Sequence, residues 1–270
     1  QTPTDLDAIA AASYAALGGH QIEPFSRSMP AFNLDEAYQV TAAVRRAREE
    51  AGANVVGRKI GFTNRTIWDE YGVYAPMWGY MYDTTVTDLA GEPGGILLSE
   101  FAEPRIEPEV VFHFTSAPSA EMSERQILDC VDQIAHGFEI VQSIFPNWAF
   151  SPADTVAAYG LHGALFTGPW HDITADRDEW FAKLPNFEID LYRNGDFADH
   201  RQAGNVLDGP LTALKHLISV LAVDPSNPQI EAGEIVTTGT LTRAFPVVPG
   251  ETWTTKPGDI GFDGITISFK

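Results

Sequence analysis

One cysteine, Cys130, stands alone in 270 residues, so no disulfide can form within the chain. That scarcity suits a reducing compartment, and a cytoplasmic location is expected. Long apolar runs are also missing. None approaches the roughly 20 residues that a membrane-spanning helix needs. The stretch beginning at Gln1 has neither a basic n-region nor an apolar h-region, so no secretory signal is expected. Positive charge is scarce too: 17 Lys and Arg face 37 Asp and Glu, a formal net charge of −20. Nucleic acid and anionic membrane surfaces are therefore not expected as partners, because both need cations to displace counterions. The acidic residues are spread along the chain and read first as a solubility device. An anionic ligand would need a local positive centre, either a metal ion or a few well-placed Lys and Arg. The seven histidines show no metal-ligand spacing, which disfavours zinc.

What is present points to an α+β chain with a predominantly β body. Asp5 to Leu17 is Ala-rich and helical in character. A second helix begins at Asn33, where Asn33 and Glu36 have the spacing of a capping box and Ala37, Val40, Val44 and Ala47 follow helical periodicity. After Val55 the pattern changes to short apolar runs divided by Gly and Pro. Strands are expected at Val55–Phe62, Arg105–Phe114, Phe138–Ser143, Gly163–Thr167, Phe187–Arg193, Glu234–Thr238 and Ile265–Phe269. Asn194-Gly195 signals a hairpin turn. Two helices interrupt the strands. One opens with the Ser123/Gln126 capping box and carries Ile127, Cys130, Val131 and Ile134 on one face; the other starts near Pro210. Cys130 then reads as a small core residue.

The most informative segment is Arg105-Ile106-Glu107-Pro108-Glu109-Val110-Val111-Phe112. Residues two apart on a strand share a face, so Glu107 and Glu109 converge. The apolar run that follows suggests a strand entering the core. Taken alone, Glu-Pro-Glu is better read as a solvated strand face. Glu139, within the apolar run Phe138-Glu139-Ile140-Val141, shifts that balance, because a lone carboxylate there needs a partner. Three carboxylates without Cys or His form the ligand set of a hard cation, Mg²⁺ or Mn²⁺.

Several strings resemble one family. Lys59-Ile60-Gly61-Phe62-Thr63-Asn64, Tyr71-Gly72-Val73 and Pro76-Met77-Trp78-Gly79 are similar to the 2-keto-4-pentenoate hydratase / 2-oxo-3-hexenedioate decarboxylase family of the fumarylacetoacetate hydrolase superfamily. The two-Glu metal motif of that family falls on Glu107-Pro108-Glu109 and its third acidic ligand on Glu139. The run Ala232 to Thr240 matches its Gly-Asp/Glu … Thr-Gly-Thr element. The resemblance implies a fumarylacetoacetate-hydrolase-like mixed β body with flanking helices. It is read as one catalytic domain over 1–270, with a helical N-terminal part (1–52) and a β-rich body (53–270). It also implies a homo-oligomer and a small 2-oxo acid substrate, which chelates the cation through its carboxylate and 2-carbonyl oxygens.

Around that centre, Lys59 is the expected cationic helper, holding a substrate carboxylate or moving a proton. By alternation, its neighbour Arg58 is expected to point outward. Thr238 and Thr240 are candidates for binding a carboxylate oxygen, with ordinary β-propensity as the rival reading. Asp83 is a candidate proton shuttle or a turn-forming Asp. Asp154 is a candidate substrate- or cation-binding residue or a helix cap, and His162 a candidate acid or base. The stretch Tyr159-Gly160-Leu161-His162-Gly163 departs from the Asp-Asn-Ala-Ser-like run of the familiar members, which leaves the metal ligands intact and opens the question of substrate.

The reaction implied is a lyase reaction through a dienolate. Water is added to a 2-hydroxydienoate or 2-oxo-enoate, or CO₂ is lost from a 2-oxo-enedioate. Hydration is the leading expectation. The superfamily's C–C hydrolases place a His-Glu pair on a short helix after the first core strand; here Thr63–Tyr71 offers Asp69 and Glu70 but no His. A non-catalytic protein that kept the fold is the remaining alternative, and loss of a metal carboxylate would have favoured it.

Overall fold

Capping chemistry sets the helical start of the chain. In the computed structural model, which describes residues 3–270, Asp5 accepts the Ala8 N–H and opens α1 (Leu6–Ala15). A short α2 (Phe25–Ser28) breaks the Gly18–Pro30 stretch. Asn33 and Glu36 then form the expected capping box of α3 (Leu34–Glu50). The apolar faces of α1 and α3 meet α6 (Pro152–Ala157) in one cluster built around Ile9, Val40, Val44 and Val156.

The β body follows. Its strands are β1 (Val55–Gly61), β2 (Met77–Tyr82), β3 (Val86–Asp88), β4 (Arg105–Phe114), β5 (Val131–Val141) and β6 (His162–Asp172). β7 (Glu188–Arg193), β8 (Asp196–Gln202), β9 (Ile235–Thr237), β10 (Phe245–Pro246), β11 (Thr252–Pro257) and β12 (Thr266–Ser268) complete the set. Helices α4 (Trp68–Tyr71), α5 (Glu124–Asp129), α7 (Arg177–Lys183) and α8 (Pro210–Ala222) are interspersed. Among the described residues, one mixed sheet runs β2-β1-β9-β4-β5-β6-β3, with β10 also paired to β4; a second runs β12-β11-β7-β8. β1–β9 and β3–β6 are parallel and the other pairings antiparallel. Ile106, Phe138, Ile140, Trp253 and Ile267 pack between the two sheets. Leu211, Leu214, Leu217 and Ile218 of α8 bury against Phe112 and Ile134 on the large sheet. Each such side chain contributes about 1.5–3 kcal/mol.

Three expectations change. The helix after Ser123 ends at Asp129, and Val131 and Ile134 belong to β5. A period of three to four in so short an apolar run also fits a fully buried strand, and β5, between β4 and β6, is one. The strand expected at Phe138–Ser143 is accordingly only the end of a longer one. Arg58 is not directed to solvent but is 1% exposed. β1 is covered on both faces, and the Arg58 guanidinium binds Glu234 at 3.0 Å and stacks against Trp78 and Tyr80.

Candidate metal centre and active-site cavity

The register of β4 against β5 places Arg105 opposite Val141, Glu107 opposite Glu139, and Glu109 opposite Gly137. Side chains two apart on β4 share a face, so Arg105, Glu107 and Glu109 stand in a row with Glu139 across from them. One carboxylate oxygen from each of the three glutamates lies within 4.8 Å of the others. Glu109 and Glu139 are fully buried and Glu107 is partly exposed.

The cluster's electrostatics follow from that burial. Loss of hydration pushes Glu107 up to about 7. Burial and the neighbouring Glu139 push Glu109 well above the ordinary carboxylate range. Burial acts on Glu139 in the same direction, but the Lys59 ammonium and the His162 N–H outweigh it and hold Glu139 down to about 2. Glu109 Oε1 accepts the Gly239 N–H at 2.9 Å, while Glu109 Oε2 and Glu139 Oε1 are buried with no hydrogen-bond partner. Carboxylate oxygens without donors, aimed at one another inside a protein, fit a hard divalent cation. Gly239, at φ +105°, is the residue this requires: a Cβ there would sit 2.0 Å from Thr63 Oγ1.

Lys59 approaches from β1. Its ammonium donates to the Gly160 carbonyl at 2.8 Å and lies 3.4 Å from Glu139 Oε2. Burial lowers its pKa, but Glu139, Glu107 and Glu109 outweigh that and raise it. Gly79 on β2 makes the approach of Gly160 possible, because a Cβ there would meet the Tyr159 carbonyl at 2.2 Å. His162 stands behind Glu139. Its Nδ1 donates to Glu139 Oε2 at 2.7 Å, and its Nε2 accepts the Thr85 hydroxyl at 2.9 Å. It therefore braces Glu139 and is not among the residues that line the cavity. Beneath the cluster, His136 donates to the Glu109 carbonyl, and burial lowers its pKa to about 4, so it is neutral.

Of the three glutamates, Glu107 reaches a cavity of about 270 Å³, with Glu109 and Glu139 buried behind it. Lys59, Glu107, Val141, Gly160 and Leu161 line its depth; Phe62, Ile67, Tyr71 and Trp148 form an aromatic and apolar wall. Arg105, Thr240, Thr242, Arg243 and Glu70 complete it. Two residues singled out in the sequence lie elsewhere. Asp83 is exposed and accepts both the backbone and side-chain N–H of Asn54, which hold its pKa below the usual range. Asp154 is the third residue of the Ser151 capping box on α6 and also accepts the Ser26 N–H and hydroxyl. The rival cap reading therefore describes it. Thr240 lines the cavity, although its hydroxyl donates to the Thr242 carbonyl. Thr238 is fully buried, with its hydroxyl unpartnered. Arg105 was passed over in the sequence, although the spacing that joined Glu107 to Glu109 extends back to it. Arg243, Trp148 and the Gly160 carbonyl carried no such signal.

Relatives in sequence include a 4-oxalocrotonate decarboxylase from Pseudomonas sp. (strain CF600), 29% identical over 90% of this chain and 88% of the relative. A 2-keto-4-pentenoate hydratase from Paraburkholderia xenovorans (strain LB400) is 27% identical over 96% of this chain and 94% of its own. In structure, the 4-oxalocrotonate decarboxylase from Pseudomonas putida G7, complexed with magnesium and adipate, superposes with a TM-score of 0.88. It has 23% identity and both chains are fully covered, a likeness that establishes the fold. Residues 74–263 match the model of the fumarylacetoacetate hydrolase C-terminal domain, and the chain belongs to the fumarylacetoacetate hydrolase family.

Proposed function

We propose that this protein is a divalent-metal-dependent lyase that acts on a small 2-oxo acid, with hydration of a 2-hydroxydienoate or 2-oxo-enoate as the leading reaction. The observation that carries this reading is the convergence of Glu107, Glu109 and Glu139 on one point, with two buried carboxylate oxygens lacking any donor. These residues would hold Mg²⁺ or Mn²⁺. Such a cation, when bound, acts as a Lewis acid toward the 2-oxo group and stabilises the negative charge that develops there.

The chain's own groups supply the rest. Lys59, fixed between Gly160 and Glu139, has a further N–H for the substrate's carboxylate and can hold or move a proton beside it. His162 and Thr85 keep Glu139 in one orientation. Phe62, Leu161 and Trp148 exclude water from the reacting chain. The similarity to proteins named hydratase and decarboxylase supports the same class. A second reading, CO₂ release from a 2-oxo-enedioate, is favoured by the two arginines of the cavity wall. C–C hydrolysis has less support, because the turn and helix over 65–71 carry Asp69 and Glu70 without a histidine.

The same proposal covers a single catalytic domain over 1–270, a cytoplasmic setting and a homo-oligomer. Exposed Leu97, which lines a surface recess with Pro104 and Pro249, and exposed Val248 next to Pro249 in sequence support the last. No described helix is long and apolar enough to cross a membrane. The test of function is product analysis by NMR with Mg²⁺ and 2-hydroxypenta-2,4-dienoate, 2-oxohex-3-enedioate or an acylpyruvate. Hydration, CO₂ release and C–C cleavage give distinct products. Turnover that survives both exhaustive chelation and Glu109→Gln would overturn the metal assignment.

A further inference from the structure

We propose that Tyr71 is a catalytic acid whose hydroxyl delivers the proton taken up at the far end of the dienolate. The inference rests on the lyase reading above and names the group for one of its proton transfers. Hydrogen-bond roles decide the case. An Arg105 nitrogen donates to the Tyr71 hydroxyl oxygen. A guanidinium has no acceptor to offer in return, so Tyr71 must direct its own O–H elsewhere. Among the described residues nothing accepts that proton, and Tyr71 lines the cavity. The other hydroxyls of the wall are committed or withdrawn. Thr240 and Thr242 each donate to a carbonyl at 2.8 Å, and the Thr63 oxygen is buried.

The ring and its partner are both held in place. Tyr71 stacks on Phe150 with ring centres 5.8 Å apart and meets Phe62 edge-on at 6.1 Å. Arg105 lies over the Trp148 ring, 3.9 Å from its centre, and the Trp148 indole N–H donates to the Glu103 carbonyl at 3.0 Å. The Arg105 guanidinium then faces the negative charge that proton transfer leaves on the Tyr71 oxygen. Arg105 and Glu107 share a face of β4, and two residues of strand span about 7 Å. In a five-carbon dienoate with its 2-oxo end at the glutamates, three bonds of about 1.5 Å carry the terminal carbon roughly 4 Å from the 2-oxo carbon. That carbon falls between the cluster and the Arg105–Tyr71 pair. In the step, the Tyr71 O–H bond breaks and a C–H bond forms at the terminal carbon. The electron pair of the new bond comes from the dienolate, whose 2-oxygen regains its C=O double bond. The tyrosinate recovers a proton from the water whose hydroxide adds to the chain.

Tyr71→Phe keeps the ring and its stacking and removes only the hydroxyl. Two reactions of the Mg²⁺-loaded protein, followed by NMR in D₂O, separate the ends of the cavity. Hydration of 2-hydroxypenta-2,4-dienoate needs a proton at the terminal carbon; exchange of the C3 hydrogens of 2-oxopentanoate is left to Lys59. In the variant, hydration should fall about 100-fold or more, the size expected of a positioned acid, while C3 exchange stays within about twofold. Calorimetry should give unchanged affinities for Mg²⁺ and 2-oxopentanoate. Hydration within about fivefold of the wild type refutes the acid role. So does an equal loss of hydration and exchange, or a loss of 2-oxopentanoate binding, because either assigns Tyr71 to holding the substrate. A wild type that exchanges 2-oxopentanoate but leaves the dienoate unchanged refutes hydration, and the acid role falls with it; one that does neither refutes the lyase reading as well.

Discussion

Glu107→Gln should make the metal-free protein more stable and the metal-loaded protein less so. Burial raises the Glu107 pKa from its ordinary 4.5 to about 7. The folded chain then binds more protons than the unfolded chain between those values, so stability falls as pH rises through that window. Above it the full effect is present: 2.5 pKa units at about 1.4 kcal/mol each give roughly 3 kcal/mol, an upper figure because Glu107 is partly exposed. Gln keeps the shape without that cost. For a chain of this size, 3 kcal/mol corresponds to a melting shift of up to about 10 °C. Thermal melts in chelator near pH 8 should therefore place Glu107→Gln above the wild type, and melts near pH 5 should bring the two together. Mg²⁺ at 1,000 times its Kd should reverse the order, because it adds about 4.1 kcal/mol that the variant largely forgoes, more than the roughly 3 kcal/mol the substitution gains. The reasoning fails if the variant melts at or below the wild type in chelator near pH 8. It fails equally if Mg²⁺ raises both proteins alike.

Other substitutions probe the groups around the cluster. His162→Gln removes the donor that fixes Glu139 and should weaken Mg²⁺ binding about 10- to 100-fold by titration; unaltered affinity would count against its bracing role. Asp83→Asn should leave kcat/KM within about twofold, since Asp83 meets only Asn54 at the surface, and a large loss of activity would return it to the site. Gly239→Ala drives a methyl group into Thr63 and displaces the N–H that holds Glu109, so the Mg²⁺-induced rise in melting temperature should vanish; a normal rise would show that the backbone there yields.

Where local pattern and tertiary setting agree, the sequence alone was enough. β4 has the bounds its alternation implies, because Glu107 and Glu109 on one face and Ile106, Val110 and Phe112 on the other leave no second way to place it. Glu139 stood out as a lone charge in an apolar run, and the β4–β5 register supplies its partner. Arg58 could not be read in the same way. Its burial depends on Glu234, 176 residues away, and on rings from β2. Asp154 was undecidable for another reason: a carboxylate three residues into a helix caps the backbone as readily as it binds a ligand, and only the Ser26 contact separates the two. Arg243 lies outside any regular pattern, at a loop position that only the folded chain brings to the cavity.

The turn Tyr159-Gly160-Leu161 ties the N-terminal helices to the cavity. Tyr159 and Leu161 are held at φ +66° and +65°, a left-handed conformation that costs non-glycine residues on the order of 1–2 kcal/mol each. Such backbone persists only if its surroundings fix it. Here the Tyr159 hydroxyl donates to the Ser13 carbonyl in α1, the Ser13 hydroxyl donates to the Ala157 carbonyl at the end of α6, and Gly79 leaves space for the turn. The result is a single carbonyl, Gly160, aimed at the Lys59 ammonium. The N-terminal helix α1 thus acts on the cavity indirectly. It braces a strained turn, the turn sets the lysine, and the lysine holds Glu139 ionised beside two carboxylates that burial pushes toward the protonated form.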